Sequence, residues 1–212
     1  MTDVWSTRAK LYIESDAHRE GDDLELLAEW ARGARTALDV ATGGGHVARR
    51  LREEGIEVVS CDPAQGMGPD VVCAAEKLPF RDAGFEAVAC RTAAHHFEDV
   101  RAALSEMARV SARLVLIADT LNMGAAAEEA ERLRDPTHVR NYSEQEWRDL
   151  LEGADLELEE VRTVQNTFDF ASWLARTGCE GEVADRVRDL WGGRVAEGRL
   201  TLDKIVLRSR KR

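Results

Sequence analysis

The sequence is short of cysteine, and the cysteines it has are not paired. Cys61, Cys73, Cys90 and Cys179 form no CxxC and no Cys/His comb of zinc spacing, so neither a metal site nor a disulfide framework is expected. Three of them lie in apolar, strand-like runs and read as small buried hydrophobes of a reducing compartment. No stretch approaches the roughly 20 apolar residues of a membrane span. The opening MTDVWSTRAKLYIESD carries charges throughout and has no apolar core for a signal peptide, which makes cytoplasmic the expected location. Cationic charge is also scarce: 29 Lys and Arg against 40 Asp and Glu leave −11 over 212 residues. A field of that sign disfavours nucleic-acid backbones and anionic membranes, and it tolerates a cationic ligand such as a sulfonium.

What is present suffices for a folded core, with 44% hydrophobic and 33% charged residues. Residues 22–33 place Leu24, Leu27, Ala28 and Ala31 on one helical face and stop at Gly33. Residues 36–41 form a short apolar run, followed by TGGG and a helical stretch closing at Gly55. A second strand is expected over 56–61, ending at Asp62, a brief third near 70–73, a fourth over 85–90, a helix over 99–110 and a fifth strand over 113–119. The segment 63–69 is too short for a crossover helix. The alternation predicts a doubly wound α/β fold with a mostly parallel sheet and right-handed crossovers. Beyond residue 119 helices are expected near 124–134, 144–152, 170–176 and 181–191, with an alternating strand from 156. The clean alternation of LTLDKIVLRSR predicts a last strand lying antiparallel on the sheet edge. With no internal repeat and no low-complexity linker, residues 1–212 read as one domain.

Ligands of open α/β sheets bind beyond the carboxyl ends of the strands, near the point where strand order reverses. The residues so placed are 39–46, 61–62 and 91–97. Three successive glycines let backbone approach a ligand, and the helix that follows offers unpaired N–H groups. Asp62, ending the second strand, has the position of an acidic residue that accepts from a ribose diol. Gly43, Gly45 and Ala48 also fit the dinucleotide spacing, so on these residues alone NAD stands beside other nucleoside cofactors.

The ordered segments LDVATGGGHVA, VVSCDPAQGM, AEKLPFRDAGFEAVACRTAAHHFEDVRAALSEMARV and RLVLIAD resemble the class I S-adenosylmethionine-dependent methyltransferases. The similarity is greatest to the small-molecule group that includes the ubiquinone/menaquinone methyltransferases. YIESDAHREGDDLELL and RLRDPTHVRNYSEQEWRDLL extend it over almost the whole chain. The resemblance implies a Rossmann-like fold with helical cap insertions, S-adenosylmethionine as cofactor and a small-molecule acceptor, in a monomer or homodimer. It divides the chain into an N-terminal helical lid (1–35), a cofactor-binding core (36–119) and an acceptor side (120–212). It puts Asp39 near the methionine amino group, Gly43 and Gly45 against the methionine and ribose, Asp62 on the ribose hydroxyls and Ala75 and Glu76 beside the adenine. Cys90 and Arg91 would line the methionyl side, and Tyr12, His18 and Gly21 belong to a segment that closes over the cofactor. His95 and His96 fall where such enzymes face the transferred methyl group. Ala41 replaces the first glycine of the family turn, Ala74 the acidic residue that bonds the adenine amino group, and Ser111-Ala112 a longer Pro-Gly-Gly turn.

Other residues carry less. His95 and His96 could take a proton from a hydroxyl acceptor, with packing or capping as the alternative of equal weight. His46 opens a helix beside the glycines. Arg134, Asp135, His138 and Arg140 form a polar cluster that could line an acceptor site, with a solvated loop after Pro136 as the slightly stronger reading. Trp147, Trp173 and Trp191 read as core, and the terminal RSRKR as a solvated tail.

Overall fold

Short apolar runs alternating with amphipathic helices must bury strand faces and helix stripes against each other, which favours a sheet covered on both sides. The structure, a computed structural model, describes residues 4–212 and every side chain among them except those of residues 16 and 17. Helices α1 (Val4–Ile13), α2 (Asp16–Arg19) and α3 (Asp22–Ala31) lead into β1 (Thr36–Val40), α4 (His46–Glu53), β2 (Glu57–Asp62) and β3 (Val71–Val72). Then follow β4 (Phe85–Arg91), α5 (Val100–Val110), β5 (Ser111–Thr120), α6 (Ala125–Arg134) and α7 (Glu144–Gly153). The chain ends with β6 (Leu156–Asp169), α8 (Phe170–Ala175), α9 (Gly181–Trp191), β7 (Val195–Ala196) and β8 (Arg199–Lys211).

The strands lie in the order β3-β2-β1-β4-β5-β8-β6, with β7 paired to β8. The first five run parallel, and β8 runs antiparallel to both β5 and β6. Successive residues of a strand face opposite sides, so the two faces collect different partners. Leu38, Val40, Val88, Val115 and Ile117 pack with Leu104 and Met107 of α5 and with Trp147 and Leu151 of α7. Ala37, Ala87, Ala89, Leu114 and Leu116 pack with Leu24 and Leu27 of α3 and with Val47 and Leu51 of α4. A third cluster joins Ala127 and Ala130 of α6 to Trp173, Val187 and Trp191. All three tryptophans expected in the core are there, and all four cysteines are free.

Local signals place the helix ends. Asp99 accepts from Ala102 N and starts α5, while Ser143 and Glu146 form a reciprocal capping box on α7. The connection after Asp62 is one 3-10 turn, Gln65–Met67, where a crossover helix would otherwise lie.

Three expectations need correction. The last strand is not at the edge: β8 sits between β5 and β6, and β6 is the edge. Ile205, Val206 and Leu207 are consecutive and all buried, as a strand covered on both faces requires, whereas β6 alternates with exposed residues. Residues 208–211 are strand rather than tail, with Arg208 paired to Glu159 and Glu160. The polar segment after α6 is not a solvated loop: Arg134, Asp135 and His138 are buried, and only Arg140 keeps the exposed character expected of it.

Candidate functional site

The direction of crossovers reverses between β1 and β4, and their carboxyl ends open a cleft there. The turn after β1 is held from below. Asp39 is buried, and its Oδ2 accepts from Thr42 Oγ1 and, at 3.0 Å, from Ala48 N. Burial raises the Asp39 pKa to about 7, against the opposing pull of those two bonds. The turn is clamped from the side by Asp62: Oδ2 accepts from Gly43 N at 2.9 Å and Oδ1 from Ala64 N at 2.8 Å. Gly45 is left-handed at φ +74°, and a Cβ on Gly44 would stand 2.9 Å from the Tyr12 carbonyl oxygen, so α1 can approach only because that residue is glycine. His46 Nε2 donates to the same carbonyl at 3.1 Å. Ala41 adopts φ +54° without being glycine.

The cleft has a volume of about 460 Å³ and is lined by Tyr12, Ala41, Gly43, Asp62, Ala75, Glu76 and His96 among the residues expected from sequence. Trp5, Met67, Thr92 and Phe97 complete its walls, with Glu98 and Asp99 at its border. Its described lining thus carries four carboxylates, from Asp62, Glu76, Glu98 and Asp99, and no Lys or Arg. Such a lining favours a cation.

Behind the cleft lies a second cavity of about 50 Å³, which shares Tyr12, Thr92 and His96 with it. His18 and His95 line this cavity rather than the cleft. His95 Nδ1 lies 2.5 Å from Asp119 Oδ1, and the His95 backbone N–H donates to Oδ2 at 3.0 Å. Burial alone would raise Asp119, but the charge and hydrogen bond of His95 prevail and hold it at about 2. The ionised carboxylate accepts, so a proton is held at Nδ1 and Nε2 is the ring nitrogen that can exchange one. His96 Nδ1 donates to the Thr137 carbonyl at 3.0 Å, and burial together with His95 lowers the His96 pKa to about 3, so this ring stays neutral. Its ring stands edge-on to Trp5 at 4.7 Å. His18 is bonded to Ser15 Oγ, and burial lowers its pKa well below the usual histidine value.

Several expected residues stand off the cleft. The Arg91 side chain turns away to form a buried bidentate pair with Asp23, at 2.8 and 2.9 Å, and donates to the carbonyls of His18 and Glu20. It braces the N-terminal segment instead of lining the methionyl side, because the Asp23 carboxylate on α3 is buried and needs a counter-charge. Gly21 sits at that junction, where a Cβ would lie 2.5 Å from Asp23 Oδ1. Cys90 is buried in the sheet, Gly45 lies at the far end of the turn, and Asp39 lies beneath it.

Residue-type reasoning missed Thr92, Glu131, Asn166, Arg176 and Lys204, which all line the second cavity. Thr92 is β-branched yet sits at φ +54°, a conformation that persists only where the surroundings enforce it. The one legible signal was Lys204, a charge inside the apolar pattern of the last strand.

The chain is similar to known proteins in sequence and in fold. A model of the methyltransferase domain matches residues 38–114. Uncharacterized methyltransferase YcgJ of Bacillus subtilis strain 168 is 32% identical over 211 aligned residues, covering 88% of this chain and 82% of that protein. The YcgJ crystal structure superposes with a TM-score of 0.80 at 26% identity, over 90% of this chain and 98% of that one. The crystal structure of BH2331 of Bacillus halodurans C-125 superposes with a TM-score of 0.76 at 30% identity, over 90% of this chain and 99% of that one. The uncharacterized protein YafE of Escherichia coli strain K12 is 37% identical over 122 residues, which is 54% of this chain and 58% of that protein.

Proposed function

The chain belongs to the methyltransferase-domain family and is a methyltransferase, and we propose that it transfers the methyl group of S-adenosylmethionine to a small-molecule acceptor. The observation that carries this reading is the acidic cleft at the strand-order reversal, with Asp62 fastened to the glycine turn. Its 460 Å³ falls in the range of roughly 300–1,000 Å³ typical of small-molecule sites. A carboxylate is the acceptor that a ribose diol would donate to, and the bonds to Gly43 and Ala64 fix Asp62 in the wall of the cleft. Ala75 and Met67 offer apolar surface to a base, and the four carboxylates suit a sulfonium. A dinucleotide would bring its pyrophosphate against the same carboxylates, which disfavours NAD despite the glycine spacing.

S-adenosylmethionine supplies an already activated methyl group, so orientation and exclusion of water can provide most of the catalysis. Trp5, Tyr12 and His96 wall the cleft on the side of α1 and exclude solvent there. His95 is the candidate base: Asp119 fixes its tautomer and stabilises the imidazolium that would form when Nε2 takes a proton. The neutral His96 beside it, 4.1 Å between ring centres, positions rather than titrates.

Calorimetric titration with S-adenosylhomocysteine tests the cofactor assignment, with NAD as control. Saturable binding is expected for the former only, and Asp62→Ala is expected to weaken it about 10- to 100-fold, the value of a hydrogen bond to a charged group. Binding unaffected by both Asp62→Ala and Gly43→Val would remove the site assignment.

A further inference from the structure

The cavity behind the cleft buries more positive charge than it neutralises. Lys204 pairs across β8 with Thr120 and is 3% exposed. Its Nζ donates to Thr92 Oγ1 at 2.9 Å. The carboxylates that act on it are Asp23, Asp119 and Glu131, and each is shared with another group: Asp23 with Arg91, Asp119 with His95 and Glu131 with Arg134. Arg176, at the end of α8, is 8% exposed; its Nη1 donates to Ser15 Oγ at 2.6 Å, and its Nε is buried with no hydrogen-bond partner among the described residues. Arg134 is the neutralised cation, 3.4 Å from Glu131 and stacked over the Trp173 ring at 4.0 Å. Burying cations beyond the available counter-charge is strongly unfavourable in an otherwise empty site. The left-handed Thr92 that holds Lys204 adds backbone strain at the same point.

The position of the cavity gives this charge a use. It shares Tyr12, Thr92 and His96 with the cleft on one side. On the other it shares Asn166, Phe168 and Arg176 with an open groove of about 700 Å³ along β6 and α8. The cavity, with its two cations, thus adjoins both the groove and the cleft. At about 50 Å³ the cavity is roughly a tenth the size of the 460 Å³ cleft, so it takes one small polar end of a molecule. That is the size of a carboxylate group rather than of a whole acceptor, and the nearby Glu131 disfavours a dianion.

We propose that this cavity is the anion-holding end of the acceptor site, and that the methyl acceptor is a small carboxylic acid whose carboxylate lies between Lys204 and Arg176. The proposal rests on the methyltransferase reading above. It leaves the acceptor's nucleophilic atom directed toward the cleft, with His95 in the wall of the cavity that holds the carboxylate.

The test uses acetate, butyrate and benzoate, each beside its neutral amide, titrated into protein saturated with S-adenosylhomocysteine. At least one carboxylate is expected to bind ten times more tightly than its amide, or to raise the melting temperature where the amide does not. In Lys204→Met and Arg176→Gln that preference is expected to vanish while S-adenosylhomocysteine affinity stays within twofold. Lys204→Met is also expected to melt higher than the wild type without ligand, which separates loss of the site from loss of the fold. Carboxylates that bind no better than their amides, or do not bind, would overturn the proposal. So would a parallel fall in S-adenosylhomocysteine affinity, which would assign the cations to the amino-acid end of the cofactor. Tighter binding of inorganic phosphate than of every carboxylate would overturn the ligand class. If S-adenosylhomocysteine itself fails to bind, the cofactor reading fails separately, and the same titrations on ligand-free protein still decide the cavity.

Discussion

The two cavities of this molecule meet at Tyr12, Thr92 and His96, yet they are built in opposite ways and carry opposite charge. The cleft is made largely of consecutive residues and backbone, the turn of 41–45, Asp62 with the 3-10 turn behind it, and 74–76, and its described charged lining is acidic. The cavity is made of single side chains from distant elements, Arg134 of α6, Arg176 beyond α8, Lys204 of β8, and its cations outnumber its carboxylates. A net charge of −11 therefore says little about the sign of a buried site. Charge averaged over a surface sets long-range steering, while a few groups shielded from water set the potential inside.

The strongest way to disturb both regions at once is Arg91→Met. It leaves the Asp23 carboxylate, fully buried, without its counter-charge, and a loss of about 3–5 kcal/mol is expected in urea unfolding. Adding Asp23→Leu is expected to recover most of that loss; if it does not, the pair matters through the carbonyls of His18 and Glu20 instead.

His95→Ala separates the regions. Turnover is expected to fall about 10²- to 10⁴-fold, the usual worth of a positioned base, with S-adenosylhomocysteine affinity unchanged. The same variant alters acid stability. Asp119, held at about 2 against an ordinary 3.8, contributes stability that is present above about pH 4 and lost as pH falls through 2. Without His95, burial prevails and acid unfolding is expected to begin at a higher pH. An unchanged acid limb would show that Asp119 is held by other groups.

Asp39 gives the cleft the opposite pH signature. Its carboxyl, raised from 3.8 to about 7, contributes stability that is full below pH 4 and is lost as pH rises through 7. Between those limits the slope approaches about 1.4 kcal/mol per pH unit, and Asp39→Asn is expected to abolish it in denaturant titrations from pH 4 to 8. The smallest effect concerns Ala41, at φ +54°. Relief of about 1–2 kcal/mol of left-handed strain, less the entropy that glycine adds to the unfolded chain, predicts that Ala41→Gly stabilises by about 0.5–1 kcal/mol. A destabilised variant would mean that the Ala41 side chain packs against its neighbours strongly enough to outweigh the strain.

The order of strands and helices was legible because their hydrophobic periods are intact and their ends are marked, by Gly33, Gly55, Asp99 and Ser143 among others. The place of β8 was not, since alternation identifies a strand without identifying its neighbours. Asp62, Gly43 and His96 stand out in the sequence because each follows a strand at the binding end of the sheet. Arg91 stands at the end of β4 in the same way, but its side chain answers to Asp23, sixty-eight residues earlier in the chain. Arg134 and His138 look like surface residues in a polar stretch, and become interior only when Arg134 meets Trp173 of α8 and His138 meets Glu128 of α6.

The sequence by itself determined the doubly wound core and the cleft at its strand ends, because periodicity, turn residues and the glycine run act over a few residues and need no partner far away. Only the tertiary structure decided the seat of β8 inside the sheet, the turning away of Arg91 and the cationic cavity. Each of those depends on how a buried charge or a doubly covered strand is satisfied by groups far along the chain, and that is settled by packing rather than by local pattern.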